Sequence, residues 1–320
     1  MIMRRSLRQS TPGPFPGGRR YNSYGAFLKE KFGCRVSKIV VDAGFSCPNR
    51  DGTVGVGGCT YCNNDAFRPA TARRSDPVPR QVENGIGWLK RRYGAQKFIV
   101  YFQPFSNTFG PLERLIPLYE GALAHPEVVG ISVGTRPDCM DEAKVAWFEN
   151  LARTHFVTLE YGLESVYDRT LALVNRGHDH ACWRRAMEMT RGRGISLCAH
   201  LILGFPWESR DEMLATAGAI SDAGLDFLKL HHLQVVHGTA LARQYSDHPF
   251  ALLTYDDYVD LVVEFLELLN PAIRLERLFG FAPEEHLAGP HWHATKAEIQ
   301  HGIERALAAR ATWQGRCYRR

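Results

Sequence analysis

The sequence predicts an α/β fold: a parallel sheet curled into a partial (β/α)6 TIM-like barrel, followed by an α-rich C-terminal extension. Six short apolar segments between residues 38 and 233 have the length and composition of buried parallel strands. Segments of helical pattern separate successive strands, and right-handed crossovers then curl the sheet. Because about eight repeats are needed to close such a barrel, we expect six repeats to leave one side open.

The individual elements follow from apolar runs and from helix start and stop signals. Strands are expected at 38–41, 97–102, 128–133, 155–160, 195–203 and 226–233. Helices are expected at 78–93, 111–123, 141–153, in the stretch up to Arg193, and at 209–223. The last helix has a capping-box pattern, Ser209 with Glu212, and Gly224 as its stop.

After Val235 the pattern changes to a mainly helical one. A helix at 254–269 has Thr254 as its cap and stops at Pro271, AIRLERLFG resembles another strand, and residues 290–310 contain a second amphipathic helix. We therefore divide the chain into a basic N-terminal tail and lead-in (1–33), a core (34–245) and a C-terminal extension (246–320).

Composition excludes several classes of protein. The chain is 45% hydrophobic, which suits a globular core, and it has no run of ~18 apolar residues, so we expect no membrane contact. No secretory signal follows the start, so we expect a cytoplasmic protein whose eight cysteines serve metal or redox chemistry rather than disulfides. The net charge of +5 favours polyanionic partners only weakly.

The first 20 residues contain five arginines and several prolines and glycines, which disfavour a helix. We interpret this stretch as a solvated terminus. An arm that contacts nucleic-acid phosphates is the alternative. The arginines concerned are Arg4, Arg5, Arg8, Arg19 and Arg20, and the C-terminus is basic too, with Arg316, Arg319 and Arg320.

The most informative stretch is CPNRDGTVGVGGCTYC, which begins at Cys47 and contains Cys59 and Cys62. Its glycines, proline and asparagine indicate a loop that can wrap a compact object. Three thiolates held close together repel one another unless a cation lies among them. The stretch therefore predicts a metal centre.

The number of ligands distinguishes the candidate metals. A structural zinc ion requires four protein ligands, but no histidine precedes His125, and the nearest other thiol, Cys34, lies across an apolar segment. A [4Fe–4S] cluster held by three cysteines leaves one iron free to bind a substrate or cofactor. A zinc-stabilised nucleic-acid-binding module without catalysis remains the alternative.

Three segments carry a resemblance to a known family: GFSCPNRDGTVGVGGCTYCN with an aromatic residue, Tyr61, just before the last cysteine; FQPFSNT (102–108); and VNRGHDH (174–180). Together they resemble the YhcC/YtqA group of radical S-adenosylmethionine (SAM) proteins and, more distantly, the catalytic subunit of Elongator. The resemblance identifies 34–245 as a radical SAM core and assigns the cluster to Cys47, Cys59 and Cys62.

The resemblance also implies an activity. SAM would bind the open iron and be cleaved reductively to a 5′-deoxyadenosyl radical, with electrons from a low-potential donor of the ferredoxin or flavodoxin type. Relatives act on the wobble uridine of transfer RNA, so a tRNA side-chain modification is the leading hypothesis. A small-molecule substrate, such as a porphyrin-pathway intermediate, and a scaffold that binds SAM without cleaving it are the alternatives.

Ligands of parallel α/β sheets lie at the carboxyl ends of the strands, and polar residues concentrate there in this sequence. The resemblance implies that Gln103, Ser106 and Asn107 hold the amino group of SAM, that Glu160 bonds its ribose or ammonium, and that Gly204 lets the backbone approach adenine. Tyr61 completes the expected cofactor site, and Glu208 is a weaker candidate. The structural alternatives are a buried salt bridge for Glu160, helix capping for Ser106 and Asn107, and a core position for His200.

Overall fold

A computed structural model describes residues 11–67, 69 and 71–319 of the chain. Within this part, seven parallel strands form one curled sheet in the order β1-β2-β3-β4-β5-β6-β8. The strands, in chain order, are β1 (Val36–Val41), β2 (Lys97–Phe102), β3 (Val128–Thr135), β4 (Phe156–Glu164), β5 (Ser196–Leu203), β6 (Phe227–His232), β7 (Val235–Val236), β8 (Arg274–Arg277) and β9 (Leu287–Gly289).

The predicted fold class is confirmed, and all six expected strands are present. The segment AIRLERLFG supplies β8, which pairs in parallel with β6 and so adds a seventh strand from the C-terminal region. The two remaining short strands, β7 and β9, pair with each other in antiparallel fashion.

Helices connect the strands and cover the outer face of the sheet. They are α1 (Tyr24–Phe32), α2 (Asn64–Phe67), α3 (Val78–Tyr93), α4 (Leu112–Leu123), α5 (Glu142–Ala152), α6 (Asp168–Leu173), α7 (His180–Thr190), α8 (Arg210–Ser221), α9 (Ala240–Asp247), α10 (Tyr255–Leu268) and α11 (Lys296–Ala309). The capping box at Ser209 and Glu212 forms as expected and begins α8. None of the helices in the described part is long and apolar enough to cross a bilayer.

The side chains of each strand alternate between two cores, as the pleat requires. In β2, Phe98, Val100 and Phe102 pack in the large cluster that includes buried side chains of the covering helices. Ile99 points to the opposite face, into the barrel, where it packs with Cys198 and Phe227. The interior is therefore apolar at the amino ends of the strands.

Helix α1 closes this amino end of the barrel. Tyr24 and Leu28 belong to the same interior cluster, and the Tyr24 ring meets the Phe227 ring edge-on with centroids 4.8 Å apart. Because the bottom is plugged, any cavity inside the barrel must open toward the carboxyl ends of the strands.

The side of the barrel that six repeats would leave open is bridged. The edge strands β1 and β8 meet through Lys38, whose Nζ lies 2.7 Å from Glu276 Oε1. Ser23, just before α1, forms a parallel bridge with Leu275 in β8. These contacts narrow the lateral mouth that the strand count alone predicts.

Part of the expected N-terminal tail contacts the C-terminal region. Arg20 Nη1 donates to the Thr312 carbonyl at 3.1 Å, and the Asn22 amide donates to Gln314 Oε1 at 2.8 Å. The chain is thus anchored near Arg20, which corrects the expectation of a solvated terminus up to that residue. The expectation for Arg4, Arg5, Arg8 and Arg320 lies outside the described residues.

Candidate functional site

A cavity lies at the carboxyl ends of the strands, inside the barrel and beneath the loop from Cys47 to Cys62, which is called the cysteine loop below. Cys47, Cys59 and Cys62 all line it. Of the other residues expected at the site from sequence, Tyr61, Gln103 and Glu160 line it too. The sequence-based placement of a site at this edge of the sheet is therefore matched by a single shared cavity.

The cysteine loop is shaped by its own backbone hydrogen bonds. The Arg50 amide donates to the Cys47 carbonyl at 2.8 Å, and the Gly58 amide donates to the Asn49 carbonyl at 2.8 Å. Gly58 has a φ of +83°, and a Cβ there would lie 2.8 Å from the Arg50 side chain. Only glycine fits this position without displacing Arg50.

A second segment, Val174–Gly177, holds the cysteine loop from outside. The Thr60 amide donates to the Val174 carbonyl at 2.9 Å, and Asn175 Nδ2 donates to the Gly58 carbonyl at 2.9 Å. Asn175 has a φ of +52°, a left-handed conformation that asparagine tolerates better than most residues. The VNRGHDH segment, to which sequence analysis assigned no role, thus fixes the position of the cysteines.

Two donors point at the sulfur of Cys59. Asn49 Nδ2 lies 3.7 Å and Arg176 Nη1 lies 3.6 Å from this Sγ. Arg176 also donates to the Gly162 carbonyl at 2.7 Å and lies 3.5 Å from Glu164. A sulfur that receives a cationic donor is suited to the thiolate form, which is the form that binds metals.

The surroundings of Cys62 disfavour its thiolate form. Burial and the neighbouring Cys59 raise the pKa of Cys62 to about 11, although Arg50 opposes the shift. Arg50 Nη2 donates to the Cys62 carbonyl at 2.6 Å. A cation bound at the Cys62 sulfur would favour the thiolate that this environment disfavours.

The spacing of the sulfurs separates the two metal hypotheses. Among the described residues, one set of three Cys, His, Asp or Glu ligand atoms lies within 4.8 Å of one another, and it is Glu160, Cys198 and His200. A single zinc ion would hold its thiolates about 3.8 Å apart, as follows from its bond lengths and tetrahedral geometry. The three loop cysteines do not form such a set, so at least one pair of their sulfurs lies more than 4.8 Å apart, which fits a cluster that places each thiolate on a separate iron.

Cys34 does not complete the site. It precedes β1, whereas Cys47 follows it, and the six residues of β1 separate the two ends by roughly 20 Å. Within the described part of the chain, Cys34 is not among the residues that line the cavity. A fourth ligand from this thiol is therefore excluded by the strand between them.

Three residues predicted to contact SAM have other partners in this structure, and their contact with SAM stays a prediction. Ser106, Asn107 and Gly204 are not among the described residues that line the cavity. Asn107 Nδ2 instead bonds the carbonyls of Phe102 at 3.1 Å and Gly134 at 2.8 Å, and Ser106 Oγ lies 3.0 Å from Thr135 Oγ1. Both tie the loops after β2 and β3 together.

Helix capping, the alternative for Ser106 and Asn107, does not occur either, because α4 begins after Pro111 without a side-chain cap. Gly204 has a φ of +97°, but a Cβ there would meet Leu253 at 2.9 Å. This glycine therefore allows the Leu253 side chain to pack closely against the backbone at position 204. Glu208 is buried and accepts from Ser165 Oγ at 2.5 Å, away from the cavity lining.

Glu160 occupies the centre of a buried ionic network. Its Oε1 accepts from Lys38 Nζ at 2.7 Å and from Ser132, and its Oε2 accepts from His200 Nε2 at 2.7 Å and from Lys229. Burial raises the pKa of Glu160, but Lys229, Lys38 and His200 outweigh it and hold the pKa well below its usual range.

These four donors fill the acceptor positions of one carboxylate. The salt-bridge alternative for Glu160 therefore describes the structure, and a bond from Glu160 to SAM, which stays a prediction, would have to replace one of these donors. Glu276 closes the network, with Oε1 2.7 Å from Lys38 and 2.9 Å from Lys229.

Several cavity residues were not among those that sequence analysis assigned to the site. His200 and His231 face each other with ring centroids 5.7 Å apart, whereas the ring of His232 stacks on Trp292 at 3.9 Å on the outer face. Arg277, at the end of β8, also lines the cavity. A basic residue at the carboxyl end of the expected strand AIRLERLFG was the available signal.

Comparison with known families decides what this site belongs to. A model of the Radical SAM superfamily matches residues 49–220, more than half of the chain, and a model of the Radical_SAM C-terminal domain matches residues 225–309. The chain belongs to the radical SAM superfamily. Enzymes of this superfamily use a [4Fe–4S] cluster with SAM, so the predictions of an enzyme and of these cofactors are confirmed at that level.

Radical SAM relatives cover almost the whole chain. The YtqA protein of Bacillus subtilis is 37% identical over 315 residues, 98% of each chain. The YhcC protein of Escherichia coli K12 is 35% identical over 272 residues, which make up 85% of this chain and 87% of that one. The resemblance to the YhcC/YtqA group is confirmed.

More distant radical SAM relatives are longer proteins. A tRNA uridine(34) acetyltransferase of Dehalococcoides mccartyi is 24% identical over 227 residues, 70% of this chain but 46% of that one, so the match spans about half of the relative. The solved structure of an N-terminally truncated Elp3 of Methanocaldococcus infernus aligns with a TM-score of 0.67 at 15% identity, covering 87% of this chain and 64% of that one. This structural match shows that the two share a fold.

Proposed function

We propose that this radical SAM enzyme holds its cluster on Cys47, Cys59 and Cys62 and modifies a uridine side chain of tRNA. The observation that carries the first part is the shared cavity: the three thiols line it beside Gln103 and Tyr61. When bound, the cluster and SAM supply one-electron chemistry that ends in abstraction of a substrate hydrogen.

The residues of the chain then bind, orient and exclude water. Asn49, Arg50 and Arg176 fix the cysteine loop and direct N–H groups at its sulfur and carbonyl atoms. Gln103 offers an uncharged amide that can bond the amino group of SAM. Tyr61 packs on Phe205, with ring centroids 6.3 Å apart, and would form an apolar wall of the cofactor pocket.

The choice of tRNA rests on relatives and on charge. The alignment with the tRNA uridine(34) acetyltransferase covers 70% of this chain at 24% identity. The net charge of +5 favours a polyanionic substrate. Because tRNA and reductants of the ferredoxin or flavodoxin type occur together in the cytoplasm, we place the enzyme there, with such a protein as electron donor.

The cluster assignment is tested by three variants and one matched control. Anaerobic reconstitution of Cys47→Ala, Cys59→Ala and Cys62→Ala is expected to lose at least half of the iron, since each removes one ligand. Cys34→Ala, the control, is expected to keep the wild-type iron content. Equal iron in Cys34→Ala and Cys59→Ala would contradict the assignment.

The substrate is tested separately, by comparing modified nucleosides in tRNA from cells with and without the gene. We expect one modified uridine to disappear or to be replaced by its precursor, and to return with the wild-type gene but not with the Cys59→Ala gene. An unchanged nucleoside profile would contradict a tRNA substrate and leave a small molecule as the substrate class.

A further inference from the structure

The end of the cavity formed by β6 and β8 contains a cation with no counter-ion. Within the residues that the structure describes, the exposed side chain of Arg277 lines the cavity but makes no hydrogen bond or ion pair. The carboxylates nearest to it in the fold are already engaged, because Glu276 and Glu160 both lie between Lys38 and Lys229. An arginine presented in this way can form a bidentate pair with an oxyanion.

The neighbours of Arg277 add to the positive potential. Lys296 begins α11, where the positive end of the helix dipole disfavours a cation. Burial, and after it Arg277, lowers the pKa of Lys296. Lys296 lies over the Phe281 ring, 4.6 Å from its centroid, and forms no ion pair among the described residues. The one carboxylate of this helix end, Glu298, accepts from the Thr295 amide at 2.7 Å as the cap.

The same end of the cavity contains an unused hydrogen-bonding atom. His231 Nε2 is buried and has no partner within the described part of the chain. Gly280 allows the chain to pass close to this ring, since a Cβ there would lie 3.3 Å from His231 Nδ1 and 3.1 Å from Gln234 Oε1. A buried unpaired nitrogen costs about 1–3 kcal/mol unless a ligand bonds it.

Arg277 influences different groups from the arginines that lie beside the cysteines. The arginines that act on the thiols are Arg50, Arg136 and Arg176. Arg277 acts instead on Tyr101, His231 and Lys296. The carboxylate of SAM would be used at the cluster, so an anion beside Arg277 belongs to another molecule.

We infer that Arg277, Lys296 and His231 form a subsite for an anionic group, a carboxylate or a phosphate, of the substrate. This inference rests on the proposed function, because it assigns the anion to the molecule that reacts in this cavity. Arg277 holds the oxyanion and His231 bonds it from inside, whereas Lys296, which is not among the lining residues, contributes only its positive charge. Both a nucleotide phosphate and a carboxylate on a modified base have the required chemistry.

The test uses the full chain without cofactors and labels its arginines with phenylglyoxal, with mass spectrometry to follow each site. Inorganic phosphate or acetate is added at increasing concentration. We expect one of the two anions to slow labelling of Arg277 at least about fivefold and to leave Arg80 unaffected. Arg80 is a matched control: an exposed arginine on the outer helix α3 with no side-chain partner in the described part of the chain. The anion that protects at lower concentration identifies the source as phosphate or carboxylate.

Equal labelling of Arg277 with and without both anions would overturn the inference. A second measurement uses the reconstituted enzyme and Arg277→Gln. We expect the variant to raise the KM for substrate about 10- to 100-fold, as loss of a charged hydrogen-bonding pair does. An equal rise in the KM for SAM would assign Arg277 to SAM and overturn the inference.

The two hypotheses fail in different ways. If wild-type protein does not cleave SAM after reconstitution, the proposed function is wrong, whereas the labelling experiment still decides whether the anion subsite exists. If the anions do not protect Arg277 but tRNA is modified, the subsite is wrong and the proposed function stands.

Discussion

At the scale of single residues, Arg176 connects the cysteine loop to the sheet. Its guanidinium contacts Cys59 Sγ, the Gly162 carbonyl and Glu164, and the residue is 7% exposed. Gly162 lacks a side chain at the point where Arg176 passes, and a Cβ there would overlap the guanidinium. This arginine therefore couples protein stability to the geometry of the cysteines.

We predict that Arg176→Gln lowers the free energy of unfolding by about 3 kcal/mol, because it leaves Glu164 without its partner in a buried setting. The reconstituted variant should also lose iron faster to a chelator than wild type does, since a donor to the Cys59 sulfur is gone. Urea unfolding and the time course of iron release measure the two effects.

The control for this prediction is Arg184→Gln. Arg184 and Glu188 form a pair 3.6 Å apart on the surface of α7, with side chains 66% and 60% exposed. Removal of such a pair changes stability by less than about 1 kcal/mol. If both variants unfold and release iron alike, the bridging role of Arg176 is wrong.

At the scale of elements, the packing of α3 on β1 depends on a missing side chain. Gly85 faces Ile39, and a Cβ at position 85 would overlap the Ile39 side chain. Both residues are buried, and Ile39 is β-branched and held in a strand. The two elements therefore lie as close as their backbones permit, which sets the position of the strand that leads into the cysteine loop.

We predict that Gly85→Ala lowers the free energy of unfolding by about 1–3 kcal/mol through overpacking. Gly218→Ala in α8 is the matched change, because this glycine is also inside a helix but a Cβ there meets nothing within 4 Å. It should raise the free energy of unfolding by roughly 0.5–1 kcal/mol. The same sign for both variants in urea unfolding would contradict the packing argument.

The strands were predictable because each reads as a buried apolar run with a helical segment after it. Helix α1 was not, because its sequence YGAFLKEKF is short and its buried residues, Tyr24 and Leu28, are matched by partners such as Phe227 far along the chain. The lateral bridge was equally hidden, since it depends on Lys38 meeting Glu276 across the curled sheet.

At the scale of the whole molecule, three histidines with little exposure, of which His232 is buried and His231 and His178 are half-buried, favour the neutral form. Burial lowers the pKa of His232 to about 3 and that of His231 well below its usual range, and it lowers the pKa of His178 to about 2. In the unfolded chain each titrates near pH ~6.5. The unfolded state thus binds more protons below this pH, and stability must fall as the medium is acidified.

We predict that His232→Phe, which keeps an aromatic ring against Trp292, removes part of this acid sensitivity. Between pH 8 and pH 5, wild type should lose about 2 kcal/mol more of its unfolding free energy than the variant. Urea unfolding at both pH values measures the difference, with the exposed His301→Gln as control. Parallel losses in wild type and His232→Phe would show that His232 does not contribute.

The candidate site was only partly predictable for a related reason. The cysteines could be found because all three lie in one loop, whose composition and spacing carry the signal. Arg176 and Arg277 act on groups brought near by folding, and Arg176 lies 117 positions from Cys59. Ser106, Asn107 and Gly204 were placed by resemblance, but their polar or conformational features serve neighbouring loops.

Two hydrogen bonds, one between Thr60 and Val174 and one between Gly58 and Asn175, also have a consequence during biosynthesis. A ribosome adds about 5–20 residues per second, so roughly 6–23 s pass between translation of the cysteine loop and translation of Val174 and Asn175. During that interval the three thiols belong to an incompletely translated chain and lack the protection of the folded loop against oxidants and other metal ions. A cofactor that is loaded before residue 175 has been made therefore binds a loop that lacks these two hydrogen bonds.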